Sequence, residues 1–234
     1  MNRSAEFEMM DLPGQPRELL AEDLRNLRVI NRYLGCHRNV LRGVARLVRA
    51  ERLQNFTLLD VGTGSADIPG AIVRWAERNG VGARVVALER EAVSVDEAAE
   101  QTRGSSAISL LRGDAMAPPF GAACFDFVLA SQLLHHFPDD QIIALLRGWA
   151  RLARRAIIVN DLVRHRLAYH GIRWLTKTFT HNPMTRTDGP LSVARSCTIA
   201  EWRALFCRAG VGKVSIEWAL PFRVLGIIST KNRA

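Results

Sequence analysis

The chain has 234 residues, 48% hydrophobic and 24% charged, which is the composition of an ordinary globular protein and excludes a disordered one. Its net charge of +9 is spread along the sequence rather than gathered in one run, so we expect no nucleic-acid partner, although weak association with an anionic membrane surface stays open. No apolar run reaches the roughly 18 residues that span a bilayer, and the N-terminus lacks the pattern of a signal peptide. We predict a cytoplasmic protein whose scattered cysteines are free thiols: Cys36, Cys124, Cys197 and Cys207.

The first 53 residues contain two stretches with apolar residues at helical spacing. The first stretch runs from about residue 17 to 34 and is followed by Gly35, which is a good helix terminator. The second runs from about residue 38 to 49, with Val40, Val44 and Leu47 on one face. The sequence therefore predicts an N-terminal helical segment before the first strand.

Residues 56–69, FTLLDVGTGSADIP, predict a buried strand, a tight glycine turn and the start of a helix. Such a turn lets the backbone come close to a ligand at the carboxyl end of a strand. Asp67, which we predict to be the helix N-cap, replaces the third glycine of the dinucleotide fingerprint, and Asp60 stands two residues before Gly62. Carboxylates at both ends of the turn would repel a pyrophosphate and would suit a cofactor with ammonium and sulfonium charges.

The motif D-x-G-x-G formed by Asp60, Gly62 and Gly64 resembles the first motif of the class I S-adenosylmethionine-dependent methyltransferases, and the resemblance covers roughly residues 56–219. It implies an α/β fold with a Rossmann-like seven-stranded sheet of order 3-2-1-4-5-7-6, the last strand antiparallel, and helices on both faces. The methyltransferase domain would cover residues 54–234. The helical segment 1–53 would form a lid over the ligands or pack on the sheet. The implied cofactor is S-adenosyl-L-methionine.

The rest of the sequence alternates strand and helix patterns, as an α/β fold requires. We predict strands at 84–89, 108–111, 125–131 and 156–161, and helices at 68–79, 91–102, 139–155 and 199–209. The last of these helices begins with a capping box from Thr198 to Glu201. Two further strands then form a C-terminal hairpin.

Acidic residues follow several strands at positions that the resemblance assigns to the cofactor. Glu89, at the end of the second strand, is placed to accept hydrogen bonds from both ribose hydroxyls of an adenosine. Asp114 would hold the adenine amino group, although a simple turn residue is the alternative. The predicted cofactor-binding residues are Asp60, Gly62, Thr63, Gly64, Asp67, Glu89, Arg90, Asp114, Ala115, Met116 and Ser131.

The fourth strand is followed by QLLHHFPDD, and its LHHF segment resembles the branch of the family that methylates small molecules, including ubiquinone- and menaquinone-type enzymes. Nucleic-acid adenine methyltransferases carry a [DN]-P-P-[YF] loop at this place, which this chain lacks. We expect no metal here, because His135 and His136 are adjacent and cannot easily hold one ion without further ligands. A structural histidine that caps the next helix is an alternative.

Residues 162–197 form an insertion after the carboxyl end of a strand, so we expect this segment to lie over the ligand and to form the substrate wall. Its run RTDGPLSVARS resembles a segment of bacterial methyltransferases associated with polyketide and phenolic-lipid pathways. A surface loop with salt bridges is the alternative. The predicted substrate contacts are Trp174, Arg186, Asp188 and Arg195.

The expected reaction is methyl transfer from S-adenosylmethionine to a phenolic or quinol oxygen of a small apolar acceptor in secondary metabolism. A phenol has a pKa of about 10, so a base would help, and His135 or His136 is the first candidate because histidine titrates near neutral pH. Asp161 would be its partner or a base, and Arg164 would stabilise the phenolate charge. Carbon methylation of a quinone precursor and a non-catalytic S-adenosylmethionine-binding protein stay open, whereas Asp60 and the missing third glycine disfavour a nicotinamide oxidoreductase.

Overall fold

A computed structural model describes residues 1–230, so the last four residues of the predicted 54–234 domain lie outside the described residues. Seven strands form one sheet in the order β3-β2-β1-β4-β5-β7-β6, which confirms the predicted order. The first five strands are parallel, and β7 pairs antiparallel with both β5 and β6. The strands are β1 Asn55–Val61, β2 Gly82–Glu89, β3 Ile108–Arg112, β4 Phe125–Ser131, β5 Ala153–Leu162, β6 Lys213–Ala219 and β7 Arg223–Ser229.

Eight α-helices surround the sheet in the described part of the chain. They are α1 Arg17–Tyr33, α2 Cys36–Ala50, α3 Asp67–Arg78, α4 Ala92–Thr102, α5 Asp139–Leu152, α6 Arg166–Phe179, α7 Pro183–Arg195 and α8 Ile199–Ala209. Helix α8 begins at the predicted capping box, where Thr198 and Glu201 satisfy each other's backbone N–H groups. Within residues 1–230 no helix is both long enough and apolar enough to cross a membrane.

Helices cover both faces of the central parallel strands. These strands are therefore buried on both sides, and their sequences are nearly continuous apolar runs. Successive residues point to opposite faces. Leu58 and Phe127 pack with α2 and α3, whereas Leu59 and Val128 pack with α5 and α8. Every residue of β4 is buried, so this strand forms the centre of the core.

Several details differ from the sequence expectation. Helix α5 ends at Leu152 rather than at residue 155, because Ala153 already pairs with Phe125 in the sheet. The insertion is helical, and Asn182 caps α7 by accepting a hydrogen bond from the Thr185 N–H. The predicted N-cap of α3 is also wrong: Ala66 holds the cap position in a left-handed conformation, and Asp67 is the first helical residue.

The two N-terminal helices have different surroundings. Helix α2 packs on the sheet beside α3, where Val40 and Val44 are fully buried. Helix α1 instead packs its Leu20 and Leu24 against Met184 of α7. The segment before α1 is irregular apart from a short 3-10 helix, Met9–Asp11, and its Glu8 is buried. Residues 1–33 thus cover the carboxyl edge of the sheet, while α2 belongs to the core.

The packing around Gly226 leaves no space for a side chain. It lies in the middle of β7, and an added Cβ would stand 2.4 Å from Cε2 of Phe206 on α8. We expect Gly226→Ala to lower the free energy of unfolding by about 1–3 kcal/mol, because an overpacked core must shift backbone or rotamers. Urea unfolding measures this change.

Gly148→Ala is the matched control. Gly148 is exposed on α5, and apart from its chain neighbours and the backbone of its own helix no atom of residues 1–230 lies within 4 Å of its added Cβ. This variant should be neutral or more stable by about 0.4–1 kcal/mol, because alanine reduces the entropy of the unfolded chain and favours helix. Equal destabilisation of the two variants would refute the packing argument.

Candidate active site

A cavity of about 700 Å³ opens at the carboxyl ends of β1, β2 and β4. The glycine turn, the loops after β3 and β4, helices α1 and α7, and the segment 10–15 all contribute to its wall. This is the edge where open α/β sheets bind their ligands. Its volume lies in the range of small-molecule sites.

The glycine turn is shaped by close packing. The N–H groups of Gly62 and Thr63 both donate to the carbonyl oxygen of Leu88, at 2.9 and 3.1 Å. Gly62 and Gly64 have φ angles of +66° and +56°, which glycine adopts without strain. A Cβ on Gly62 would lie 2.7 Å from Cδ1 of Leu133, so a side chain at this position would force Leu133 to move.

Two acids flank the turn, as the sequence indicates. Asp60 is buried and accepts a hydrogen bond of 2.6 Å from Oγ1 of Thr63, and its burial raises its pKa to about 7. Asp67 lies 2.6 Å from Nε2 of His37 and accepts a 3.3 Å hydrogen bond from Asn31. These contacts explain why Asp67 does not cap α3: its carboxylate faces the N-terminal helices instead.

Glu89 closes the other side of the turn. Its Oε2 accepts a 2.9 Å hydrogen bond from the Gly64 N–H, and its Oε1 accepts from the N–H groups of Arg90 and Glu91 at 2.7 and 3.0 Å. The carboxylate therefore fixes the turn and lines the cavity at the same time.

The remaining predicted cofactor residues also line the cavity. Asp114 accepts a 2.8 Å hydrogen bond from the Met116 N–H, which is the contact of a turn residue, and Trp149 donates to the Ala115 carbonyl at 2.9 Å. Ser131 is buried and accepts from Asn160, while the Arg90 side chain is exposed. All eleven predicted positions contribute to one wall: Asp60, Gly62, Thr63, Gly64, Asp67, Glu89, Arg90, Asp114, Ala115, Met116 and Ser131.

The two histidines reach the same cavity, each with a carboxylate behind it. Nδ1 of His135 lies 2.6 Å from Asp161, and Nδ1 of His136 lies 2.7 Å from Asp11. Burial acts to raise the pKa of Asp161, but the charge and hydrogen bond of His135 together with the hydrogen bond from the Leu162 N–H lower it overall. Neither histidine caps α5, whose N-cap is Pro138 without a side-chain bond.

Glu8 lies between the two imidazole rings. Its Oε1 is 3.5 Å from Nε2 of His135, and its Oε2 is 3.9 Å from Nε2 of His136. Ser192 of α7 donates a 2.8 Å hydrogen bond to Oε2. Burial raises the pKa of Glu8 to about 7. Glu8, His135 and His136 together form a group that could hold a metal ion.

Several predicted residues lie elsewhere. Arg164 binds Glu201 and the Ser196 carbonyl, and Arg186 donates to the carbonyls of Thr180 and Lys177. Trp174 is 69% exposed on α6. These three side chains do not line the cavity, and neither does Asp161, which reaches it only through His135.

The other two predicted substrate contacts lie close to the histidines. Asp188 lines the cavity, but both carboxylate oxygens accept from the backbone N–H groups of Met9 and Met10. Arg195 lies behind the wall and donates to the carbonyls of His135 and His136. Both residues therefore hold the N-terminal segment and the histidine loop in place.

Sequence reasoning missed the cavity residues that precede the glycine turn. Glu8 and Asp11 lie in an N-terminal stretch without periodicity, so nothing in the sequence indicates that they line the cavity. Asn31 could have been found as a polar residue at the inner face of an amphipathic helix. His37 is outside the cavity lining but lies 2.6 Å from Asp67, and no motif surrounds it in the sequence.

Comparisons with known proteins agree with this architecture. Residues 58–156 match the family model of a methyltransferase domain. No curated protein matches the chain.

Solved structures match across most of the chain. Human N-acetylserotonin methyltransferase in complex with S-adenosylmethionine aligns with a TM-score of 0.65 and 17% identity, covering 92% of this chain and 56% of that one. A Methanococcus maripaludis protein assigned as an S-adenosylmethionine-dependent methyltransferase aligns with a TM-score of 0.64 and 12% identity, covering 95% and 99%. A Nostoc punctiforme protein assigned as an O-methyltransferase aligns with a TM-score of 0.54 and 21% identity, covering 74% and 52%. The chain spans about half the length of the human and Nostoc proteins.

Proposed function

We propose that this chain, which carries the methyltransferase domain and the fold of the class I S-adenosylmethionine-dependent methyltransferases, transfers a methyl group from S-adenosylmethionine to a phenolic or quinol oxygen of a small acceptor. One observation carries the proposal. A glycine turn flanked by carboxylates and a histidine–carboxylate cluster line the same cavity, so a methyl donor and an activated hydroxyl can meet there.

The charge around the glycine turn supports the donor. Asp60, Asp67 and Glu89 all line the cavity next to this turn. A dinucleotide pyrophosphate requires free N–H groups and no nearby carboxylate. Here Glu89 already accepts from the Gly64 N–H, so the turn presents negative charge to its ligand. The ammonium and sulfonium groups of S-adenosylmethionine complement that charge.

The N-terminal part of the cavity wall, which also reaches the glycine turn at Leu24, supports a small, mostly apolar acceptor. Helix α1 and the N-terminal segment supply Leu20, Leu24, Leu27 and Met10 to the wall. The side chain of Glu8, which borders the histidines, is almost fully buried. A cavity covered in this way admits a small aromatic molecule more readily than the side chain of a folded macromolecule.

The histidine cluster supplies the activation that the methyl transfer needs. The sulfonium already activates the methyl group, so the protein must align the acceptor and make it nucleophilic. Asp161 holds the proton on Nδ1 of His135, which leaves Nε2 able to take a proton. Arg164 is bound to Glu201 and does not enter this scheme.

Calorimetric titration with S-adenosylmethionine and with NADH tests the donor. We expect binding of the first compound alone. Because burial raises the pKa of Asp60 to about 7, the free carboxyl group is mostly protonated at pH 6 and mostly ionised at pH 8. A cationic ligand prefers the ionised form, so its affinity should rise by up to about tenfold over this range.

The variant Asp60→Asn should bind more weakly and lose this pH dependence. Preference for NADH, or a wild-type affinity that falls as the pH rises, would contradict the assignment of the donor. Phenols and quinols are then screened with S-adenosylmethionine, and mass spectrometry with NMR of the product locates the methyl group. Methylation at carbon would favour the alternative reaction, and no product with any acceptor of these classes would count against the proposed acceptor.

A further inference from the structure

We propose that Glu8, His135 and His136 form a binding site for one divalent transition-metal ion in the cavity wall, beside the loop that follows β4. The sequence argument against a metal rested on the lack of a further ligand beside the paired histidines. The structure supplies one from the N-terminal segment, more than 120 residues earlier in the chain.

The distances between the donor atoms fit one ion. Oε1 of Glu8 lies 3.5 Å from Nε2 of His135, Oε2 lies 3.9 Å from Nε2 of His136, and one donor atom from each residue lies within 4.8 Å of the others. Metal–nitrogen and metal–oxygen bonds of about 2.0–2.2 Å place tetrahedral ligand atoms roughly 3.4 Å apart. With one donor atom from each residue the separations reach at most 4.8 Å, so metal binding would draw the side chains together by up to about 1.4 Å.

The hydrogen bonds of the rings direct the correct atoms to the ion. Each Nδ1 faces a carboxylate, Asp161 at 2.6 Å and Asp11 at 2.7 Å, so each ring carries its proton there and leaves an Nε2 lone pair. Asp161 is itself fixed by the N–H groups of Leu134 and Leu162. Metal-bound histidines almost always have such a partner, which sets the tautomer and the ring orientation.

The carboxyl groups of the cluster favour the binding of a cation. Carboxyl groups of Glu8, Asp11 and Asp161 lie against the two imidazole rings, and within the described residues the guanidinium beside Glu8 is that of Arg195, 3.6 Å from Oε1. Oε1 is buried and accepts no hydrogen bond from the described residues. A divalent ion would give this oxygen a ligand bond and offset most of the excess negative charge.

The donor set indicates the class of metal. Two imidazoles with one carboxylate suit zinc, iron(II), cobalt(II) or manganese(II), whereas magnesium prefers an all-oxygen shell. Three protein ligands leave at least one position free, which is the arrangement of catalytic rather than structural sites. All three ligands line the cavity, so an added molecule can reach this position.

The role of the ion rests on the proposed function. An acceptor hydroxyl bound at the free position would become more acidic and lose its proton to water. The oxygen then attacks the methyl carbon: the O–CH3 bond forms, the S–CH3 bond breaks, and neutral S-adenosylhomocysteine leaves. In this arrangement the histidines act by holding the ion rather than by accepting the proton.

The test uses the full chain, dialysed against a chelator and without S-adenosylmethionine. Calorimetric titration with zinc chloride should give one site per chain, with magnesium binding at least tenfold more weakly. Bound cobalt(II) should show the visible absorption of a site with nitrogen ligands. Glu8→Gln and His135→Gln should each weaken zinc binding at least tenfold, and circular dichroism checks that the variants are folded.

His170→Gln is the matched control, because His170 is an exposed histidine on α6, and it should bind zinc like the wild type. Absence of wild-type zinc binding, or equal affinity in Glu8→Gln and wild type, would overturn the inference. A separate titration of the metal-free protein with S-adenosylmethionine distinguishes the two proposals. If the protein binds zinc but not S-adenosylmethionine, the proposed function is refuted and the metal site stands. If it binds S-adenosylmethionine but not zinc, the metal site is refuted and the proposed function stands.

Discussion

Replacing Glu89 by alanine is expected to weaken S-adenosylmethionine binding by roughly 100-fold. A hydrogen bond to a charged group contributes about 1.5–3 kcal/mol, and the resemblance gives this carboxylate two ribose hydroxyls. The loss has a second source in the free protein, because the Glu89 carboxylate holds the N–H groups of Gly64, Arg90 and Glu91. Removing it loosens the glycine turn as well as the contact with the ligand. Calorimetric titration measures the affinity.

Two further variants separate these sources. Glu89→Gln keeps an oxygen for the turn but loses the charge, so it should bind more tightly than Glu89→Ala and more weakly than wild type. Glu97→Ala is the control, since Glu97 lies on α4 and pairs with Arg25 and Arg28 outside the cavity wall. It should leave the affinity unchanged. Binding by Glu89→Ala within threefold of wild type would refute the role of this carboxylate.

Replacing His135 by alanine is expected to lower kcat by roughly 10²–10⁴ while the affinity for S-adenosylmethionine stays the same. His135 lies in the cavity wall, away from the glycine turn along the chain, and is oriented by Asp161. The variant loses either a base or a metal ligand, so the acceptor remains protonated in both cases. Its rate should therefore recover as the pH rises toward the acceptor's own pKa of about 10, a change that a merely structural defect would not produce.

Asp161→Asn tests the orientation of the ring. An amide can present its NH2 group to Nδ1, which would favour the opposite tautomer and remove the lone pair from Nε2. We expect kcat to fall substantially with little change in donor affinity. His181→Ala, at an exposed histidine beside Arg186, serves as the control. Wild-type turnover in both His135→Ala and His136→Ala would eliminate the histidine cluster as the activating group.

The sheet could be predicted from the sequence because its strands are short apolar runs between clear turn signals. β4 has the predicted bounds, and α8 begins at its capping box as predicted. Strand order came from the resemblance, because periodicity does not determine which strands are neighbours. The helices of the insertion were missed because Pro190 and Gly189 interrupt the pattern of α7, which nevertheless packs against α1 and α6.

The site was predictable where it follows the strands and unpredictable where distant segments meet. Asp60, Glu89 and Asp114 occur at strand ends, so their shared edge follows from a parallel sheet. Glu8 reaches the histidines only through tertiary packing of an irregular segment. The guanidinium of Arg195 was expected at the substrate, but it has five donors and finds backbone carbonyls behind the wall.

The N-terminal segment that covers the cavity has a consequence for how the two products of the proposed reaction are released. Residues 10–15 border the ligand space and Glu8 contacts the histidines, while Arg3 anchors the segment to Asp139 and the Phe137 carbonyl. If the chain transfers methyl groups as proposed, donor, acceptor and both products share this cover. A displacement of the segment that lets S-adenosylhomocysteine leave would then also open the way for the methylated product, so we expect the two departures to be coupled rather than independent.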